Sequence, residues 1–232
     1  LRGYLVEYQK INNCSKVTVD NVRRNISSFF SWLEEEDFIL KSPMRRIHKI
    51  KTKTVVKEII SDESIEKLRD GCHEVRDLAI IDLLYSTGIR VGELVKLNIQ
   101  DIDFEQRECV VFGKGDKERK VYFDAKAKIH LKKYLEERVD NNPALFVTLD
   151  APFDRLKISG VEIRLRKLGR SLSLDRIHPH KFRRTMATRA IDKGMPIEQV
   201  QKILGHSQID TTMQYAIVNQ KNVKSSHQKY IA

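Results

Sequence analysis

At 232 residues the chain is long enough to bury a substantial core, as one large domain with a small one beside it. A net charge of +11 and a pI near 9.5 point to a polyanionic partner, nucleic acid before a membrane surface, although basicity alone also fits plain solubility. No apolar run reaches the length of a membrane-spanning helix and no hydrophobic signal core opens the chain, so a cytoplasmic protein without a membrane partner is expected. The chain opens on Leu1 rather than Met and reads as part of something longer. Leu1–Ile11 looks like the end of a helix. Residues 18–38 predict an amphipathic one, with Thr18 as N-cap and Val22, Ile26, Phe29, Phe30 and Leu33 along one face. Two helices enclose little core, so residues 1–50 are read as a partial helical domain.

Residues 41–57 change character. Lys41, Arg45, Arg46, Lys49, Lys51, Lys53 and Lys57 occur with no acid among them and Pro43 interrupts any helix, which predicts an exposed basic stretch touching a polyanion backbone. A merely solvated charge run is the plainer reading. The division expected is 1–50, a linker at 51–60, and a second domain over 61–232. In that domain helices are predicted at 61–70, 75–86 (mostly apolar and hence buried), 90–96, 125–139, 159–172, 180–193, 197–204 and 208–216. Residues 108–112 and 119–123 have strand composition, and Gly113-Lys114-Gly115-Asp116-Lys117 between them is a hairpin signal. The fold class is therefore mainly α with a small antiparallel β-sheet. Cys14, Cys72 and Cys109 are odd in number and far apart, which predicts reduced, mostly buried thiols rather than disulfides.

Chemistry concentrates near the C-terminus. In His178-Pro179-His180-Lys181-Phe182-Arg183-Arg184-Thr185, His180 and Arg183 are spaced to share one helical face, opposite Phe182, Met186, Ala187 and Ala190. Both are placed in the first turn, where free backbone N–H groups favour an anion. His206 follows Gly205 just past a helix end, an exposing position, and Tyr215 comes later in Thr211-Thr212-Met213-Gln214-Tyr215. Upstream, Arg90 opens a helix after Gly88, with Glu93 placed to hold its guanidinium. Met singly, each has an ordinary structural reading: a solvated Arg, a half-core Tyr, a surface ion pair, a polar Gly-Lys-Gly turn. His178, His180 and His206 have no Cys or carboxylate beside them, so no metal site is expected.

Together the set resembles the tyrosine recombinases, the phage-integrase family. The family's Thr-Gly-hydrophobic-Arg-x-x-Glu-Leu box matches at Arg90 and its hairpin Gly-Lys-Gly at Lys114. Its His-x-x-Arg pair matches His180 and Arg183, its Leu-Gly-His box His206, and its Thr-Thr-x-x-Tyr motif Tyr215. Arg184 stands where the family often has a second His, and the N-terminal helical domain is shorter than the family's. The resemblance covers 61–216 well and 1–40 loosely. It implies a catalytic domain preceded by a truncated core-binding domain, double-stranded DNA as partner, a homo-oligomer on DNA (a tetramer), and no cofactor, metal or small-molecule substrate.

It also implies the division of roles. Arg90 and Arg183 give bidentate, permanently charged hydrogen bonds to the non-bridging phosphate oxygens. Tyr215 attacks phosphorus and forms a 3′-phosphotyrosyl bond, His180 takes its proton, His206 donates to the phosphate, and Lys114 protonates the expelled 5′-oxygen. Candidate base-edge readers are Arg164, Arg166, Lys167 and Arg170. The tail after Tyr215 is expected to pack on a neighbouring subunit, and Tyr230, outside the Thr-Thr box, is set aside as nucleophile. A type IB topoisomerase-like nicking and closing enzyme, or a silent DNA-binding regulator of the same fold, are the competing readings.

Overall fold

Ser15, rather than Thr18, starts the first long helix: its hydroxyl accepts the Thr18 backbone N–H at 3.2 Å. Helix α1 is Arg2–Ile11 and α2 is Lys16–Glu35. The structure is a computed structural model that describes residues 1–51, 58–113, 118–174 and 176–216. The chain divides into two compact units, Leu1–Val56 and Lys57–Ala232.

In the first unit Leu5, Val19 and Met44 are the buried apolar side chains. Asp20 is buried with them and accepts from Arg23 Nε (2.7 Å) and from the Ile50 backbone N–H (2.9 Å), which hold its carboxyl below the ordinary value. The basic stretch begins here, and not as an open linker. Ser42 caps a 3-10 turn, Pro43–Arg46, that buries Met44, and Glu34 of α2 accepts from Arg45 and from the Ser42 N–H. Lys53 and Lys57 lie outside the described residues. Phe29, Trp32 and Phe38 touch ring to ring at 6.0 and 5.7 Å and stay largely exposed.

The second unit is organised by one enclosed helix, α4 (Val75–Thr87), flanked by α3 (Asp62–Asp70), α6 (Ala125–Glu137) and α8 (Pro179–Asp192). Ala79, Ile80, Ile81, Leu83 and Leu84 of α4 are buried against Ile65 and Leu68 of α3, Leu131 of α6 and Phe182 of α8. Each such buried leucine, isoleucine or phenylalanine contributes about 1.5–3 kcal/mol. A helix enclosed on all sides must also satisfy its polar groups. Asp82 accepts Arg69 Nε at 2.7 Å and pairs with His130 Nδ1. Arg76 donates to the Val147 carbonyl (2.9 Å) and to Asp77, whose other oxygen accepts Arg164 Nε (2.6 Å) from α7 (Ile158–Ser171). Among the described residues no buried side-chain polar atom lacks a partner.

The sheet is antiparallel, in the order β1-β2-β3: β1 (Ile102–Asp103), β2 (Glu108–Phe112) and β3 (Glu118–Tyr122). The first strand was not anticipated, since two residues carry no alternation, and β3 starts one residue earlier than the sequence suggests. Cys109 pairs with Val121 and Val111 with Arg119, the first three being buried. Of the cysteines only Cys109 is buried. Cys14 and Cys72 are half-buried, because they sit in loops between helices. Burial pushes the Cys72 thiol up to about 11 and Cys109 to about 12, so both stay protonated. After α8 come α9 (Ile197–Leu204) and the short α10 (Ile209–Met213). They close a second, smaller apolar cluster of Ala187, Val200, Leu204 and Tyr215. No described helix is long and apolar enough to cross a membrane.

Candidate active site

Two helices that end on left-handed glycines set the frame. α4 stops at Gly88 (φ 62°) and α9 at Gly205 (φ 64°), a conformation that costs a side chain dearly. Space adds to the restriction: a Cβ on Gly88 would stand 2.4 Å from Met186 Cε, and one on Gly205 3.0 Å from Arg119 Cδ. Each turn delivers a candidate, Arg90 after Gly88 and His206 after Gly205.

Arg90 caps the short helix α5 (Val91–Leu94). Its backbone N–H donates to Glu93 Oε2 (2.8 Å), its Nη1 to Glu93 Oε1 (2.9 Å), and its Nη2 to the Gly205 carbonyl (3.4 Å). The Arg90 side chain is 43% exposed and that of Glu93 only 5%. Glu93 is therefore a buried anchor and not a surface ion-pair partner. Burial works to raise its pKa, but the hydrogen bonds from Arg119 and from the Arg90 N–H outweigh it and hold the carboxyl below its ordinary value.

Arg183, from the second turn of α8, is 2% exposed. Its Nη1 donates to the Gly88 carbonyl (2.8 Å) and its Nη2 to the Leu204 carbonyl (2.6 Å) and to His206 Nε2 (2.9 Å). It thus joins both glycine turns. Burial, with Arg90 nearby, lowers it to about 10, which leaves it charged at neutral pH. Because His206 Nε2 accepts, its proton belongs on Nδ1, which reaches Thr212 Oγ1 at 2.9 Å. Burial first, then the charges of Arg183 and Arg90, push His206 down to about 4, so its imidazole is neutral at pH 7. It is half-buried and not exposed, because Arg183 and Thr212 hold the ring on both sides.

Tyr215 lies against that ring, the two stacked at 6.1 Å and 24°, and it is 8% exposed. His180 is exposed, one turn before Arg183 on α8, and stands near enough to His206 to act on it electrostatically. Arg90, His180, Arg183, His206 and Tyr215 thus come to one place although they span much of the unit. Lys114 lies outside the described residues, as do the tail after residue 216 and Tyr230. His178 is the N-cap of α8, and Arg184 turns away to the Glu58 carbonyl (3.1 Å). Of the reader candidates, Arg164 is tied to Asp77, whereas Arg166, Lys167 and Arg170 are exposed.

Two participants escaped sequence reasoning. Thr212 accepts the Nδ1 proton of His206, whose tautomer Arg183 fixes from the other side of the ring. Arg119 of β3 sends Nη1 and Nη2 to the two oxygens of Glu93 (2.9 and 2.7 Å) and Nε to the Ile203 carbonyl (2.8 Å). The available signal was an Arg two residues before the inward-facing Val121, on the apolar side of a strand. Two guanidiniums, Arg90 and Arg119, therefore share one carboxylate while Arg183 stands near enough to feel its charge, and the positive excess suits a phosphate.

The Phage integrase family profile matches residues 51–222. The chain is 34% identical over 225 residues to the tyrosine recombinase XerC of Oceanobacillus iheyensis, covering 90% of this chain and 73% of that protein. It is also 34% identical over 242 residues to the XerC of Thermodesulfovibrio yellowstonii, covering 99% and 80%. Among solved structures, the Tn1549 transposon integrase in complex with a circular intermediate DNA superposes with a TM-score of 0.80 at 19% identity, covering 96% of this chain and 82% of that one. XerH recombinase bound to a palindromic difH substrate gives 0.78 at 20%, covering 97% and 70%.

Proposed function

Because the chain belongs to the phage integrase family, the tyrosine recombinases, we propose that it is a site-specific DNA recombinase in which Tyr215 cuts and rejoins the strand. The observation that carries the assignment is Arg183: a buried, charged guanidinium bonded to the Gly88 turn before Arg90 and to His206, which is stacked on Tyr215. In the reaction the Tyr215 oxygen bonds to phosphorus as the bond to the 5′-oxygen breaks. His180 takes the tyrosyl proton and Lys114 supplies one to the leaving 5′-oxygen. The negative charge that grows on the non-bridging oxygens is met by Arg90 and Arg183, preorganised donors of a kind whose single loss costs about 10²–10³ in rate. The phosphotyrosyl bond keeps the energy of the broken bond, so rejoining is the same displacement run backwards.

The arrangement described is closed. Arg183 donates through Nη1 to the Gly88 carbonyl and through Nη2 to the Leu204 carbonyl and His206, and Tyr215 is packed away. On this reading, DNA binding draws Tyr215 from its cluster and brings a phosphate oxygen to Arg183. The reading extends to a cytoplasmic protein acting as a tetramer on double-stranded DNA, with residues 1–50 as part of a core-binding domain, 51–60 as linker, 61–232 as catalytic domain, and the tail on a neighbouring subunit. The test is a nicked suicide duplex followed by denaturing electrophoresis. A covalent protein–DNA adduct in the wild type, lost in Tyr215→Phe, is the expected result. Binding without adduct would leave a regulator, and relaxation of supercoils without strand exchange a topoisomerase.

A further inference from the structure

Arg119 is the most committed of the three guanidiniums. Its side chain is 12% exposed against 43% for Arg90, and its Nη1, Nη2 and Nε are all bonded to protein. The geometry leaves it no role as a direct phosphate ligand. Glu93 accepts four hydrogen bonds, two from Arg119, one from Arg90 Nη1 and one from the Arg90 backbone. A buried carboxylate needs a counter-charge. If Arg90 were its sole partner, the charge of Arg90 would be held by Glu93, and an incoming phosphate would have to win it from a buried anion.

On the recombinase reading above, we propose that Arg119 is a positioning residue for strand cleavage: it neutralises Glu93, so that Glu93 orients Arg90 without consuming its charge. The carboxylate with both guanidiniums carries one net positive charge, and that charge resides on Arg90, the exposed member. Packing of the Arg119 side chain under Gly205 and its bond to the Ile203 carbonyl keep the neutralising charge in place while Arg90 exchanges Gly205 for a phosphate oxygen. Arg119 touches no reacting atom in this scheme and acts through Glu93 on Arg90.

The test compares single-turnover adduct formation with affinity for the same nicked duplex, at a site that the wild-type chain cleaves. Arg119→Met is expected to slow cleavage about 10²-fold while DNA affinity changes little, since a developing charge and not the ground state is left unmatched. Arg119→Lys keeps the charge and is expected to stay within about tenfold of wild type. In Arg119→Met/Glu93→Gln the stranded carboxylate is gone, and cleavage is expected to recover at least about tenfold over Arg119→Met. A thermal melt accompanies each variant, and if Arg119→Met does not fold, the Lys variant and the double variant carry the comparison with wild type. Wild-type rates in Arg119→Met, a Lys variant as slow as about 10²-fold, or a double variant that is folded and equally slow would overturn the proposal. Absence of adduct from the wild type itself would instead remove the recombinase reading and the proposal with it.

Discussion

The two apolar clusters of the Lys57–Ala232 unit are built on different scales. The larger draws on every helix from α3 to α8 and on all three strands, and Ile89, next to Arg90, is buried in it. The smaller consists of Ala187, Val200, Leu204 and Tyr215, with Met186, Ala190, Ile191 and Met195 half-buried around it. One half of the site is therefore set against the larger core. The other half, with Tyr215, the proposed nucleophile, is held by a few contacts and two hydrogen bonds of His206. On the proposed reaction Tyr215 leaves its pocket, and such a residue belongs in the cluster that costs less to open.

The comparison can be broken or sharpened by experiment, and the largest effect is chemical. Tyr215→Phe keeps the ring against His206 and loses only the hydroxyl, so the melting temperature should hold while adduct formation disappears; an adduct that persists would move the nucleophile elsewhere. The next is a pair of truncations of equally buried leucines. Leu131→Ala, in the larger cluster, should lower unfolding stability by about 2–5 kcal/mol in a denaturant titration. Leu204→Ala should instead speed hydrogen exchange of the α9 and α10 amides and leave the global midpoint nearly unmoved. Equal midpoint shifts would mean the two clusters unfold as one.

The smallest effect is one of pH. The folded His206 has its pKa lowered to about 4 from an ordinary 6.5, so between those values the unfolded or opened chain binds the proton first. Its neutral ring thus favours the closed arrangement fully above pH 6.5, and this contribution is lost as pH falls toward 4. Ring titration by NMR should give a midpoint near 4. Opening of α10, corrected for the intrinsic exchange rate, should grow over that interval, and His206→Gln should flatten the dependence. An ordinary midpoint in the folded chain would mean that Arg183 does not rest on Nε2.

Much of this was legible in the chain. The glycines at 88 and 205 and the patterns read as helices at 61–70, 125–139 and 197–204 act within a few residues, and the elements Asp62–Asp70, Ala125–Glu137 and Ile197–Leu204 follow them closely. Thr18 was a worse reading than Ser15 because either hydroxyl fits a cap, and only the backbone path chooses. β1 was invisible because pairing with β2, and not its own two residues, makes it a strand. Asp82 lies in a helix that is mostly apolar in sequence, and its burial is tolerable only through Arg69 and His130 from other helices.

The candidate site divides the same way. The resemblance to the tyrosine recombinases is what singles out Arg90, Lys114, His180, Arg183, His206 and Tyr215 as candidates, because each box of that family is a local pattern. The state of those groups was not local. That Glu93 is shared by two guanidiniums, that His206 is neutral with its proton toward Thr212, and that Tyr215 is packed away all depend on elements far apart in sequence. Burial and counter-charge are properties of the assembled interior, so the residue types came from the sequence by itself, and their charges, tautomers and accessibility were decided by the tertiary structure.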